Sequence, residues 1–519
     1  MWTFFVAIVL LFGGFFVYSR FAEKIFAPDK RFTPAIASPD GIDKIPLGKP
    51  KAFLIELLNI AGTGPIFGAI SGALFGPIAF IWIVLGCIFG GAIHDYFSGM
   101  ISSRHDGASI VTLTGKYMGK IAKIIMTFFS ILLLILVTAV FVVSPASLLQ
   151  DLTSGMMPAT IWLIIILAYY LLAAILPIDK IIGKIYPFFG IILMVMAVSV
   201  ILGVMINKSS YPMIELIGNL KDFSHTHGKI PWWPFMLITI ACGAVSGFHA
   251  TQTPMVAKCI KNEKEGRHIF YGAMVAEGVI ALIWAAVAMA FFHVDGLNES
   301  TIMFNNQSVS LTWKGLYDMG GGCSRSVNII ATTLLGPIGT ILAIVGVIIC
   351  PITSGDTALR SARLIISEWF KLDQKKIRNR LILTIPLFGL VICLALWNFI
   401  DPKNFNILWC WFAWSNQTMA ALSLWISTIY LLKKGKYLCG SLLTMFPAVF
   451  MTIVVIAYIF GEPNISLGRW IPLYVANIIA EVVGVGLLVW FLCVFFIHVK
   501  NHFNHSHNCK FKKPIPMNK

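Results

Sequence analysis

The chain has 519 residues, 58% of them hydrophobic and 12% charged, with a mean hydropathy of +0.84. A soluble domain of that make-up would expose apolar patches larger than water tolerates, which leaves a lipid-embedded protein. The net charge of +16 would suit nucleic acid if it were gathered in one patch; it is instead spread along the chain in a pattern that excludes nucleic acid.

Apolar runs of about 17–25 residues are long enough to cross a bilayer as helices. The sequence predicts thirteen of them, at 2–19, 53–76, 77–101, 119–143, 158–177, 181–206, 232–257, 269–292, 330–356, 379–398, 405–432, 438–461 and 470–498. Backbone groups in lipid must bond within their own segment, so each run is expected to be helical. The first has no basic n-region and no small-x-small cleavage site, and is read as a helix, not a leader.

The second run carries Gly62-Thr63-Gly64-Pro65 near its middle. Glycine and proline weaken the helical ladder there, and Thr63 followed by proline suits the start of a second half-helix. The third run holds His94-Asp95. A carboxylate beside an imidazole can exchange a proton near neutral pH, which makes the pair an ion-coupling candidate.

The seventh run is interrupted in the same way, by Gly243, Ser246-Gly247-Phe248-His249 and Thr251-Gln252-Thr253-Pro254. Ser246, Gly247, His249 and Gln252 put donors and acceptors into one short stretch and are substrate-binding candidates, with Gly62, Thr63 and Gly64. Amides of the second half-helix from Thr63 to Phe67 would favour an anionic group. The ninth run brings Asp356, a further ion-coupling candidate, with Thr353 and Ser354, and the eleventh brings Asn416 and Gln417 as further substrate-binding candidates. Two amides in hydrocarbon need partners, either as an interhelical clamp or as substrate lining.

Carboxylates inside spans are costly, so each calls for a role. Glu56 and Asp356 read as helix ends close enough to the cytoplasmic face to reach water; Glu277 and Glu481 stand alone in apolar runs. The ten cysteines have no CxxC and no regular spacing, so neither a disulfide framework, a metal site nor a cofactor is expected. The tail with His498, His502, His505, His507 and Cys509 reads as disordered and cytoplasmic.

With the N-terminus outside and strict alternation, every Lys and Arg falls on the inner side except Lys208, Lys221, Lys229, Lys314, Arg325, Lys403 and Arg469. That partition supports both the number of spans and their direction, with the C-terminus cytoplasmic. Spans 2–6 and 7–11 then form two five-helix units of inverted topology, each opening on a broken helix. The fold class is an all-α polytopic membrane protein with a 5+5 inverted-repeat, leucine-transporter-like core, and a substrate site at the midplane. Residues 1–52 form the first helix and a loop, 53–206 the first repeat, 232–432 the second, 438–498 two peripheral helices and 499–519 a basic tail.

At these segments the sequence resembles the carbon starvation protein A family of bacterial peptide and pyruvate transporters. The resemblance rests on Ile60-AGTGP, Gly91-AIHDY, Ile238-TIACGAVSGFHATQTP, Pro351-ITSGDTALRSARLII and Trp414-SNQT. It implies uptake of a small carboxylate-bearing nutrient, a peptide or pyruvate, across the bacterial inner membrane during carbon starvation, driven by a proton or sodium gradient. In transporters of this layout, hydroxyls at Thr353 and Ser354 would join carbonyls of the first broken helix around a sodium ion. The residues themselves argue against other classes: no HExxH or nucleophile–base cluster marks an enzyme, and no GxxxxGK[ST] supplies ATP drive. A channel or a sensor scaffold is the alternative to coupled transport.

Overall fold

The computed structural model describes residues 1–510 apart from 42, 154–155, 176–177, 221–229, 293–300, 305–306, 311–322, 375, 402, 436–437 and 466. Lys221, Lys229 and Lys314 of the charge partition lie outside the described residues. Among the described residues the chain is helical apart from connecting loops and a short antiparallel hairpin, Thr301–Phe304 with Gln307–Ser310.

The helices, in chain order, are α1 (Trp2–Phe26), α2 (Lys49–Ile60), α3 (Gly64–Phe75), α4 (Ile78–Ser103), α5 (Ile110–Met118) and α6 (Lys120–Leu152). They continue with α7 (Ala159–Ile175), α8 (Ile178–Ile206), α9 (Phe235–Thr239), α10 (Phe248–Ala257) and α11 (Glu263–Phe291). The last five are α12 (Cys323–Phe370), α13 (Ile377–Ile400), α14 (Lys403–Lys433), α15 (Leu438–Gly461) and α16 (Leu473–Lys510).

Among the described residues, nine helices are long and apolar enough to cross a membrane, and ten if the bent pair α2–α3 is one span. The expected thirteen is not reached by that measure, for physical reasons. The helix α7 has only 17 residues. The seventh run is split into pieces of 5 and 10 residues. Ser415, Asn416 and Gln417 lower the hydropathy of α14.

Burial sorts the spans from centre to rim. The most apolar stretch of α11 is 89% buried, against 28% for α1 and α13 and 17% for α16. A helix buried all round belongs in the core of a bundle, while one with a wide exposed apolar face meets lipid. Helix ends also overrun the apolar runs. The α12 segment spans 48 residues with a kink at Gly336 (φ 64°), and α16 continues to Lys510. The stretch read as a disordered tail is therefore helical up to that residue. Arg360 and Arg363, counted as loop charges, are buried inside α12.

At one end of the bundle Arg104 joins four elements. Its guanidinium donates to both oxygens of Glu263 at 3.0 Å, to the Ala27 carbonyl at 2.9 Å and to the Tyr430 hydroxyl at 3.4 Å. The ends of α1, α4, α11 and α14 are thereby latched together. Beside the latch, hydrogen bonds from Arg31 hold the Asp29 carboxyl well below the usual carboxylate range.

Candidate functional site between two broken helices

Both predicted interruptions are present, and they touch. The first lies at Ala61–Thr63, where α2 and α3 meet at 61°. The second covers residues 240–247 between α9 and α10, with Gly243 at φ 91°. That angle is in the left-handed region, which glycine alone reaches without steric cost. A Cβ on Gly64 would sit 2.3 Å from both Cβ and Sγ of Cys242. Only a glycine lets the two breaks lie this close.

Side chains from other helices hold the loosened ends, because backbone groups cut off from water need partners. At the first break the Ser354 hydroxyl donates to the Leu58 carbonyl at 2.9 Å, and the Thr353 hydroxyl lies 3.2 Å from the same carbonyl, with the Ile349 and Cys350 carbonyls of its own helix at 2.9 and 3.0 Å. At the second, the Trp82 indole donates to the Ile240 carbonyl at 3.0 Å, and Gln417 Nε2 to the Leu237 carbonyl at 3.3 Å. Asn416 Oδ1 accepts from the Phe248 amide at 2.7 Å and from the Ser246 hydroxyl at 3.2 Å. Asn416, Ser246 and Gln417 thus clamp the ends of α9 and α10 to α14.

A chain of ionisable groups crosses the second break. His94 Nδ1 lies 2.7 Å from Asp95 Oδ1, and His249 Nδ1 lies 2.8 Å from Asp95 Oδ2. An ionised carboxylate only accepts, so both ring nitrogens are N–H donors toward it. The other His249 nitrogen, Nε2, stands 3.2 Å from Glu277 Oε2, off the line of a hydrogen bond. Cys242 Sγ is beside them, with a His249 nitrogen and a Glu277 oxygen all within 4.8 Å. All five side chains are buried.

Polar atoms from both breaks have no hydrogen-bond partner among the described residues. They are Asn59 Oδ1 and Nδ2, Thr63 Oγ1, Glu56 Oε2, Gln252 Oε1 and Gln417 Oε1. Gln252 Nε2 is engaged by the Thr251 hydroxyl at 2.8 Å. Buried polar atoms without partners are rare in folded proteins, and each calls for a partner such as water, an ion or a ligand. Thr63, expected to cap α3 with its hydroxyl, makes no such bond.

Two carboxylates differ from expectation. Glu56 and Asp356 are buried and do not end in water. Glu56 Oε1 accepts from the Thr253 hydroxyl at 2.8 Å, which ties α2 to α10. Asp356 is clamped by the Tyr169 and Tyr186 hydroxyls at 2.7 and 2.8 Å, so its oxygens are committed to α7 and α8. Burial in a packed core replaces the solvated helix end. Glu481 is exposed on the rim helix α16.

The contact of His249 with Glu277 was not foreseen, although a lone acid in the apolar run MVAEGVIAL calls for a partner. A cleft of about 20 Å³ lined by Ser109, Thr251, Lys258, Ser361 and Glu368 ends at α10, where the Ser361 hydroxyl donates to the Thr251 carbonyl at 3.1 Å.

The model of the family described as carbon starvation protein CstA matches residues 1–161, 156–312 and 289–457. An uncharacterized membrane protein of Haemophilus influenzae is 45% identical over 339 residues, 56% of this chain and 91% of that protein. The peptide transporter CstA of Helicobacter pylori is 25% identical, over 84% of this chain and 78% of its own length. The pyruvate/proton symporter BtsT of Escherichia coli is 25% identical, over 62% of this chain and 53% of its own. Among solved structures, a mutant manganese transporter from Eremococcus coleocola aligns with a TM-score of 0.53 at 13% identity, covering 88% of this chain and 98% of that one. At that identity the likeness is one of fold alone.

Proposed function

The chain belongs to the carbon starvation protein CstA family of membrane transporters, and from that premise we propose that it imports small carboxylate-bearing nutrients, peptides or pyruvate, with protons. The observation that carries the reading is the meeting of two broken helices whose buried polar atoms lack partners. Asn59 and Thr63 on one side and Gln252 on the other offer groups to a small polar guest. The α3 amides near Gly62, Thr63 and Gly64 favour its carboxylate end, because the start of a helix attracts negative charge.

In this reading the two breaks open the two halves of an inverted 5+5 core, α2–α8 and α9–α14, with α1, α15 and α16 as additions. The bacterial inner membrane is the natural site, with the N-terminus outside. Gly247 gives α10 its hinge, His94 orients Asp95, and Asp95 with His249 carries the coupling proton. The names of two relatives support a peptide or pyruvate substrate, and one of them supports protons. A second reading uses sodium, favoured by the convergence of Thr353 and Ser354 on the Leu58 carbonyl, since hard oxygens suit that ion.

The test is uptake of labelled pyruvate and of a dipeptide into proteoliposomes under imposed proton or sodium gradients. Accumulation is expected with an inward proton gradient. Transport that persists with both gradients collapsed removes the coupling. Asp95→Asn is expected to abolish accumulation and keep substrate exchange, and unchanged accumulation removes Asp95 from the mechanism.

A further inference from the structure

We propose that the coupling proton is held between His249 Nε2 and Glu277 Oε2, which makes Glu277 the residue that decides whether the carrier can close around its load. The inference rests on the proton-coupled reading above and names the atoms that would hold the proton.

The argument begins with lone pairs. Asp95 fixes the His249 proton on Nδ1 through the 2.8 Å contact. In the neutral ring the free lone pair then sits on Nε2. Facing it at 3.2 Å is an oxygen of Glu277, and neither Glu277 oxygen has a hydrogen-bond partner among the described residues. Two lone pairs at that distance, away from water, repel. One proton between them converts repulsion into a charge-assisted hydrogen bond, whether it sits on the ring or on the carboxyl.

Charge counting points the same way. With the proton, Asp95, His249 and Glu277 together carry one net negative charge; without it they carry two. Burying a second uncompensated charge is strongly unfavourable. The other titratable groups facing the trio do not relieve it. Cys87 and His94 approach from α4, Cys242 from the break, Glu56 from α2 one turn along α10, and Cys350 from α12. None is a fixed cation. The protonated trio can therefore be sealed from water, while the deprotonated one is stable only when a pathway opens. The proton arrives from water on one side and leaves to water on the other, and no covalent bond other than its own N–H or O–H is made or broken.

The position explains how the proton could be felt by the transport machinery. His249 stands in the first turn of α10, immediately after the break, whereas Glu277 and Asp95 stand on the continuous helices α11 and α4. A proton on the Nε2–Oε2 contact pins the hinged half-helix to α11. Its loss releases α10, and with it the clamp at Phe248 and the Thr251 carbonyl at the end of the narrow cleft.

The experiment uses the full chain, purified in detergent and reconstituted. In wild type, infrared difference spectra across a pH titration are expected to contain a feature of the shared proton, either the carbonyl band of a carboxylic acid with the proton on Glu277 or imidazolium ring modes with it on His249, and Glu277→Gln is expected to remove that feature. Substrate exchange between equal pools should fall as pH rises in wild type. In Glu277→Gln it should become independent of pH, because the amide N–H replaces the proton at Nε2, and accumulation driven by a proton gradient should be lost. If Glu277→Gln does not yield a monodisperse protein, Glu277→Asp provides the second measurement and should shift the midpoint of the exchange profile.

A Glu277→Gln difference spectrum identical to that of wild type overturns the proposal. So does a wild-type pH profile in Glu277→Gln, an unshifted midpoint in Glu277→Asp, or stoichiometric zinc retained by the purified protein. If wild type exchanges neither pyruvate nor dipeptides, the transport reading fails, and the infrared titration still decides where the proton sits.

Discussion

The two broken helices use one architectural device for different chemistry. The first gap is three residues long, at Ala61–Thr63, and it is neutral. Hydroxyls of Thr353 and Ser354 hold its end, and Asn59 and Thr63 line it. The second gap covers residues 240–247, is held by an indole and two amides, and carries Asp95, His249 and Glu277 across it. The second gap is thus bridged by ionisable groups where the first offers hydroxyl and amide groups, and the two meet at Gly64 and Cys242.

The largest effect should come from prising the two apart. Gly64→Ala sets a methyl group 2.3 Å from Cys242 Cβ, which no rotamer of that cysteine can avoid. Overpacking of this kind costs about 1–3 kcal/mol. Thermal unfolding in detergent should show the loss, and uptake should fall with it. Cys242→Gly added to Gly64→Ala should restore much of both, since it removes the clashing atoms. Failure of that rescue would mean that the glycine serves something other than the contact.

A loss of stability in the same range, without a steric clash at the contact of the two gaps, is expected from Asn416→Ala, which leaves the buried Phe248 amide and Ser246 hydroxyl without their acceptor. An unsatisfied buried polar group costs about 1–3 kcal/mol. Thermal unfolding measures it, and a melting temperature equal to wild type would reassign Asn416 from clamp to ligand lining. The smallest effect belongs to the first gap. Ser354→Ala removes the 2.9 Å hydrogen bond to the Leu58 carbonyl and leaves the Thr353 hydroxyl 3.2 Å away to take its place, so the loss should be about 0.5–1.5 kcal/mol. A sodium dependence of wild-type uptake that vanishes in this variant would transfer the coupling from the second gap to the first.

The sequence revealed the breaks more readily than their surroundings. Gly62-Thr63-Gly64-Pro65 and the stretch from Gly243 to Pro254 announce weak helix by residue type alone, whatever packs beside them. The hydroxyl pair at Thr353 and Ser354 was visible as chemistry for the same reason. Partnerships between distant helices were not. That Asp95 meets His249, and that Glu277 faces it from the other side, depends on how α4, α10 and α11 pack, and hydropathy carries no such information. Glu56 and Asp356 were misread because distance along a run was taken as depth in the membrane. The helices overrun their apolar segments, and tyrosines and a threonine supply indoors the hydrogen bonds that water was expected to give.

The length of α12 has a mechanical corollary. Beyond its kink at Gly336 the helix runs on to Phe370, roughly 50 Å at 1.5 Å per residue, well past a hydrocarbon layer of about 30 Å. Along that one shaft stand Thr353 and Ser354, which grip the first gap, and then Ser361, Leu364 and Glu368, which wall the narrow cleft beside α10. The same helix braces the first gap and walls the cleft beside α10, so a tilt that shifts one end must displace the other.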